Sequence, residues 1–258
     1  MARSRPGGRR RTVYLDHLVH AVGELEEARE EAARFGLRFL PGGRHPAYGT
    51  RNALCYTAGL AYWELLAFER RPGRAPASGA AFVDEAWARL ERQGPGLATL
   101  ALGCDDLDAQ VGRLRAAGLA VGEPRPGERV TPQGPVLRWR TAELGAWPAE
   151  AGPRPFLIQH EGEAAERRRL LERLGFLGPG GEGGFVLAEL VWPVPHAEVA
   201  ARLYERLLGA GAREEAGSRP AFRLGRCLLR LVPGPASAAV RLEPPLRGAW
   251  QGVRLEEA

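Results

Sequence analysis

The chain of 258 residues exceeds the usual single-domain length of roughly 100 to 200 residues, and 45% hydrophobic residues suffice for a sizeable core, so one large or two modest domains fit. Its formal net charge of +5 sits in the N-terminal segment: removing Arg3, Arg5, Arg9, Arg10 and Arg11 from 36 basic residues leaves 31, against 31 Asp plus Glu. A neutral body with no basic stripe among aromatics argues against nucleic acid as a partner, and no run approaches the ~18 apolar residues that span a bilayer.

In chain order, residues 1–12 read as a disordered basic tail. They lack the apolar centre of a secretion signal. Cys55, Cys104 and Cys227, scattered and without CxxC spacing, read as buried thiols of a cytoplasmic protein. Residues 15–22 form a short apolar strand that leads into a helical stretch over 24–35, a stop at Gly36 and a strand over 37–40. Strand-like runs follow over 51–56 and 61–68. Residues 80–92 read as an amphipathic connecting helix with Phe82, Trp87 and Leu90 available for packing.

The same order then repeats: a strand over 97–104, a helix over 106–117 stopped by Gly118, and strand-like runs over 119–121, 136–141 and 156–160. A second connecting helix, 163–174, carries a dense Arg/Glu face, and the Gly/Pro-rich stretch 178–184 marks a boundary. A third copy opens with a strand over 187–194 and a helix over 196–208, and its runs 221–224 and 227–232 flank the tight turn Gly225-Arg226. Runs over 238–242 and 252–255 have no place in the repeat. A period of about 80 to 90 residues is too long for the 20 to 50 of a solenoid and suits a compact module of one helix and four strands. The fold class is α+β.

A βαβββ unit in tandem, opening on Asp16-His17-Leu18-Val19 and closing on Tyr62-Trp63-Glu64-Leu65-Leu66, resembles the vicinal oxygen chelate superfamily, which includes glyoxalase I and extradiol dioxygenases. More narrowly, the run from Pro41-Gly42-Gly43 through Thr50-Arg51-Asn52 resembles its glyoxalase-like domain group. The resemblance covers residues 13–160, and the third module matches by pattern only. It implies a glyoxalase/dihydroxybiphenyl dioxygenase-like cupped mixed sheet built from modules 13–70 and 95–162 within a unit 13–162. A helical linker 163–184 and a third C-terminal module 185–258 complete the chain.

The resemblance also implies a divalent metal in the cup (Zn, Ni, Mn or Fe), held by a His on the first strand of a module and a Glu on the last. His17 and Glu64 occupy those positions. The second module offers Thr99 opposite the His17 slot and Leu157 or Ile158 near the Glu64 slot, none of them a good ligand. His160 lies two residues beyond Ile158 on the same face, as a displaced third ligand or a solvated strand end. His20, three residues along a strand from His17, points away from the cup and is a packing or surface histidine.

The hairpin over 42–52 concentrates Arg44, His45, Thr50, Arg51 and Asn52 among glycines, either as a solvated turn or, with Tyr62, as ligand-binding groups. On the second reading Arg44 or Arg51 clamps an anion in bidentate fashion. Glu64 serves as a general base with His45 beside it; on the structural alternative His17 and Glu64 are a hydrogen-bonded pair tying first strand to last. In the third module the matching slots hold Glu189 and Arg230, an expected ion pair that suits an architectural role. The function expected is a small-molecule enzyme of lyase, isomerase or dioxygenase type. The alternative is a non-catalytic protein that sequesters or senses a small organic ligand. A lone third module leaves a sheet edge and face to cover, so a homodimer is expected.

Overall fold

The computed structural model describes residues 13–57, 59–71, 81–178, 184–209, 211–214, 219–234 and 237–256, so the basic segment 1–12 lies outside it. The first module runs β1 (Tyr14–Val22), α1 (Leu25–Ala33), β2 (Leu40–His45), β3 (Thr50–Tyr56) and β4 (Tyr62–Phe68). After α2 (Ala81–Gln93) the second repeats it as β5 (Gly96–Gly103), α3 (Leu107–Ala116), β6 (Arg125–Val130), β7 (Val136–Glu143) and β8 (Phe156–His160). Within each module the first and last strands pair in parallel, β1 with β4 and β5 with β8. This requires the helix as a crossover.

The modules join along β1 and β5, which run antiparallel with His17 opposite Ala101. The eight strands take the order β1-β4-β3-β2-β6-β7-β8-β5 and close into a barrel. The expected cup is therefore shut on its far side, by a single β2–β6 pairing between Arg44 and Val130. The strand of module 2 also differs from the expected 119–121. It is β6, Arg-Pro-Gly-Glu-Arg-Val, whose Pro, Gly and charges hide it from any hydrophobic pattern, while Val121 makes only an isolated bridge to Leu144.

Two helices cover the barrel. Phe82, Ala86 and Leu90 of α2 pack with Val19, Ala21 and Leu66, where β1 and β4 end. The segment expected as a linker contains α4 (Ala164–Arg173), and its Leu171 packs with Leu54 and Tyr56 near the start of β4. Glu163 and Glu166 form a capping box at its start. This supplies the first-turn N–H groups with acceptors.

The third module is β9 (Val186–Val194), α5 (Ala197–Leu208), β10 (Arg213–Glu214), β11 (Ala221–Leu224) and β12 (Cys227–Pro233). The residues without a place in the repeat are β13 (Ala239–Glu243), β14 (Gly248–Trp250) and β15 (Val253–Glu256). β13 runs antiparallel to β9, β15 parallel to β13, and β14 antiparallel to β15. Those are the relations β5, β8 and β7 bear to one another and to β1, so β13 to β15 are a fourth module without its helix and one strand. The second sheet thus has seven strands, β10-β11-β12-β9-β13-β15-β14.

One apolar core joins barrel and sheet. Leu18, Trp63 and Leu102 on the barrel's outer face share it with Leu190, Trp192 and Phe222. His20 lies in this layer, fully buried, with its Nδ1 accepting from Trp63 Nε1 at 3.2 Å and its Nε2 2.8 Å from the Gln251 carbonyl. It packs the two sheets together and is neither exposed nor in the cavity.

A polar row inside the barrel

Every second residue of a strand faces the barrel interior, and β1 departs from that rule at one point. Leu15 pairs with Leu102 and His17 with Ala101, so Asp16 is an extra residue, a β-bulge. The bulge lets two neighbours turn to one site. Asp16 Oδ1 is 2.7 Å from His17 Nδ1, and Asp16 Oδ2 is 3.0 Å from His160 Nε2. Burial pushes the Asp16 carboxyl up, but His160 and His17 together outweigh it and hold the group well below the usual carboxylate range. Burial keeps His160 below the ordinary imidazole value against the pull of Asp16, so the pair is a carboxylate receiving two imidazole N–H groups.

With Nδ1 committed to Asp16, His17 presents Nε2 to Glu64, whose Oε2 lies 3.6 Å away. Tyr62 stacks on the His17 ring at 4.4 Å between centroids. Glu64 Oε1 accepts from Asn52 Nδ2 at 2.5 Å, and Asn52 Oδ1 faces Arg129 Nη1 at 3.5 Å. His160, Asp16, His17, Glu64, Asn52 and Arg129 therefore form one row through the barrel. Glu64 is 7% and Arg129 5% exposed. His45 also faces inward, with Nδ1 3.1 Å from Thr50 Oγ1, and burial pushes it down to about 4.

All of these but Asp16, which lies behind His17 and His160, line a cavity of about 60 Å³ whose other walls include Phe82, Trp139, Phe156 and Ile158. Beside it lies an open depression of about 1490 Å³ between β6–β8 and the starts of α3 and α4. His45, Tyr48, Trp139, His160 and Arg167 line both spaces.

The structure thus brings together His17, Glu64, His45, Thr50, Asn52, Tyr62 and His160 of the expected site residues. Arg44 and Arg51 lie on the outer face, in ion pairs with Glu69 (2.8 Å) and Glu24 (3.8 Å). Reading 42–52 as a loop concealed the strand alternation that turns them outward. Asp16, Tyr56, Arg129 and Arg167 were missed. Strand parity sends Asp16 away from His17 unless the bulge is known, and Arg129 stands in a segment with no strand signal.

Strand register also corrects the expected symmetry. His17 pairs with Tyr62 and Ala101 with Phe156, so the counterpart of His17 in module 2 is Ala101, not Thr99, and that of Glu64 is Ile158. Thr99 instead donates to the Arg154 carbonyl at 2.6 Å. In the third module Glu189 pairs with Leu228, placing Glu189 and Arg230 in the matching slots, where Arg230 Nε meets Glu189 Oε1 at 2.5 Å. Arg241 holds the other Glu189 oxygen at 2.6 Å.

A bound divalent metal needs three or four protein donors. His17 Nε2 and Glu64 Oε2 are suitably close for two, but His160 is turned to Asp16 and the module 2 slots hold Ala101 and Ile158. Among the described residues no three His, Cys, Asp or Glu side chains converge as a metal site. The residues present do not fit the metal that the resemblance implies.

A family model described as "Glyoxalase-like domain" matches residues 15–208. No curated protein matches. Among solved structures, a hypothetical protein from Staphylococcus aureus is 18% identical with a TM-score of 0.79, covering 95% of this chain and 100% of that one. That likeness shows that the whole fold, both sheets included, recurs. Streptomyces coelicolor methylmalonyl-CoA epimerase in complex with 2-nitronate-propionyl-CoA is 22% identical over 58% of this chain and 99% of that chain, with a TM-score of 0.44. Mycobacterium tuberculosis methylmalonyl-CoA epimerase is 25% identical over 60% and 91%, with a TM-score of 0.42.

Proposed function

Since the chain belongs to the glyoxalase-like domain family of the vicinal oxygen chelate superfamily, we propose that its barrel cavity takes a small organic molecule and moves a proton on it, with Glu64 as the base. The observation that carries this is the Glu64 carboxylate itself. Burying an ionised carboxylate is costly, and this one faces a cavity with one oxygen held by Asn52 and the other 3.6 Å from His17.

Of the lyase, isomerase and dioxygenase types, isomerisation needs only groups this chain supplies. Glu64 takes the proton from a carbon next to a carbonyl while the electron pair shifts onto the carbonyl oxygen; the pair then returns to re-form the carbonyl as that carbon takes a proton, which from the opposite face gives the epimer. Asp16 fixes the His17 tautomer and ring orientation, so that Nε2 faces Glu64. His45 lines both the cavity and the outer depression, which suits it to carry a proton out. Tyr62, Thr50 and Asn52 shape the wall against which the ligand sits.

The test is exchange of carbon-bound protons. In D2O the wild-type protein is expected to wash deuterium into the position beside the carbonyl of small ketones and oxo acids, followed by NMR. Glu64→Gln should lose roughly 10²- to 10⁴-fold of that rate. A protein stabilised by the same compounds that exchanges nothing would instead be the sequestering or sensing protein.

The same reading takes the protein to be a homodimer and to work in the cytoplasm, where its three buried free cysteines stay reduced. Among the described residues no helix is long and apolar enough to cross a membrane.

A further inference from the structure

The polar row ends on an arginine that proton transfer does not use. Arg129 projects from β6 to the cavity, 5% exposed, and among the described residues it makes no ion pair. Its hydrogen-bonding approach is the long 3.5 Å one to Asn52, and its charge acts on the Tyr56 hydroxyl. A guanidinium carries five N–H donors and keeps its charge, so a buried one leaves donors to be met.

The glycines of β2 leave room for it. A Cβ on Gly42 would lie 2.5 Å from Arg129 Nη1 and 2.3 Å from Asn52 Oδ1, and one on Gly43 would lie 3.0 Å from Arg129 Cγ. Gly42-Gly43 thus clears a berth for the side chain at the β2–β6 seam.

A second arginine comes from the other side. Arg167 of α4 lines the same cavity, its Nη1 is 3.9 Å from Asp16 Oδ2, and its Nε is buried with no partner. Asp16 already receives two imidazole N–H groups and Glu64 receives Asn52. Arg129 and the Arg167 Nε are thus left with N–H donors that these carboxylates do not take up. Arg129, Arg167 and Tyr56 all line this cavity, and both guanidinium charges oppose the rise that burial gives the Tyr56 hydroxyl.

We propose that Arg129 and Arg167, with the Tyr56 hydroxyl, bind the carboxylate of a short carboxylic acid and leave its adjacent carbons toward Glu64 and His17. This rests on the reading of the barrel cavity as the ligand site. A carboxylate offers two coplanar oxygens that match the guanidinium fork. The cavity of about 60 Å³ is several times the roughly 10–15 Å³ that one water needs, room for that group and a carbon or two. A longer remainder leaves past Trp139 and His160 into the open depression, whose walls those residues share.

The experiment is a ligand titration of the full chain with propionate, propionamide and inorganic phosphate, read by saturation-transfer NMR. Propionate should bind about tenfold or more tighter than propionamide, as charge-assisted bonds do against neutral ones. That preference should persist in Glu64→Gln and vanish in Arg129→Gln. Arg129→Lys, which keeps the charge but not the fork, should fall between. Gly42→Ala, which fills the berth from the opposite strand, should weaken propionate while both arginines stay in the sequence, and it carries the test if Arg129→Gln does not fold.

Equal binding of acid and amide, phosphate tighter than propionate, or propionate unaffected by Arg129→Gln and Gly42→Ala would each overturn the proposal. Propionate bound as expected by a protein that exchanges no carbon-bound proton leaves the carboxylate site standing and removes the catalytic reading. Exchange on neutral ketones with no preference for acids does the reverse.

Discussion

Two buried histidines give the protein a testable acid response. Burial pushes His20 down to about 3 and His45 down to about 4. The unfolded chain takes these protons near pH 6.5, while the folded chain refuses them, so their contribution is intact above pH 6.5. It is lost as pH falls from there toward 4, on the order of 1 kcal/mol per pH unit for each histidine. The Asp16 carboxyl adds nothing over that window, because both its folded and unfolded forms are ionised there. Urea unfolding between pH 7.5 and 5 should show the fall, and His20→Gln should reduce its slope whatever it does to stability at neutral pH. A wild-type stability flat over that range would refute the assignment of these two rings as neutral. At this scale the sequence showed His17 and Glu64 plainly, since a His and a Glu on otherwise apolar strands stand out. It hid Asp16 and Arg129, whose inward aim depends on a bulge and on an unrecognised strand.

At the level of elements, the two seams of the barrel differ. β1 and β5 pair along most of their length, whereas the backbone pairing of β2 with β6 is confined to Arg44 and Val130. Local opening follows the regions with fewest cross-strand bonds and least buried apolar contact. Hydrogen exchange is therefore expected to free the β2 and β6 amides that face each other well before those between β1 and β5. If the β1–β5 amides exchanged as fast, the seam would not be the weak line. The weak seam is also where Gly42-Gly43 seat Arg129, so a side chain central to the proposed carboxylate site depends on the barrel being closed. The sequence located the helices and most first and last strands well, because their apolar residues recur at 3.6 or 2. It misplaced β2 and β6, rich in Gly, Pro and charge, whose strand character comes from their neighbours.

For the whole molecule, the expected homodimer loses one of its two reasons. The edge of β9 that a second copy was to cover is covered by β13 of the same chain. What is left is the face of the seven-stranded sheet bearing Glu189, Arg230 and Arg241, whose charges are already paired with one another. A dimer through that face should show twice the chain mass of 28.0 kDa by light scattering at micromolar concentration, and a monomer mass would remove it. The sequence by itself determined the repeated βα unit, the family and the pair His17 and Glu64, because hydrophobic period and local motif are properties of neighbouring residues. Only the tertiary structure decided that the cup closes, that a fourth module completes the second sheet, and that Asp16, Arg129 and Arg167 come together with His17 and Glu64 at the barrel interior. Those outcomes depend on strand register, a bulge and contacts between residues far apart in the chain, and no local pattern records them.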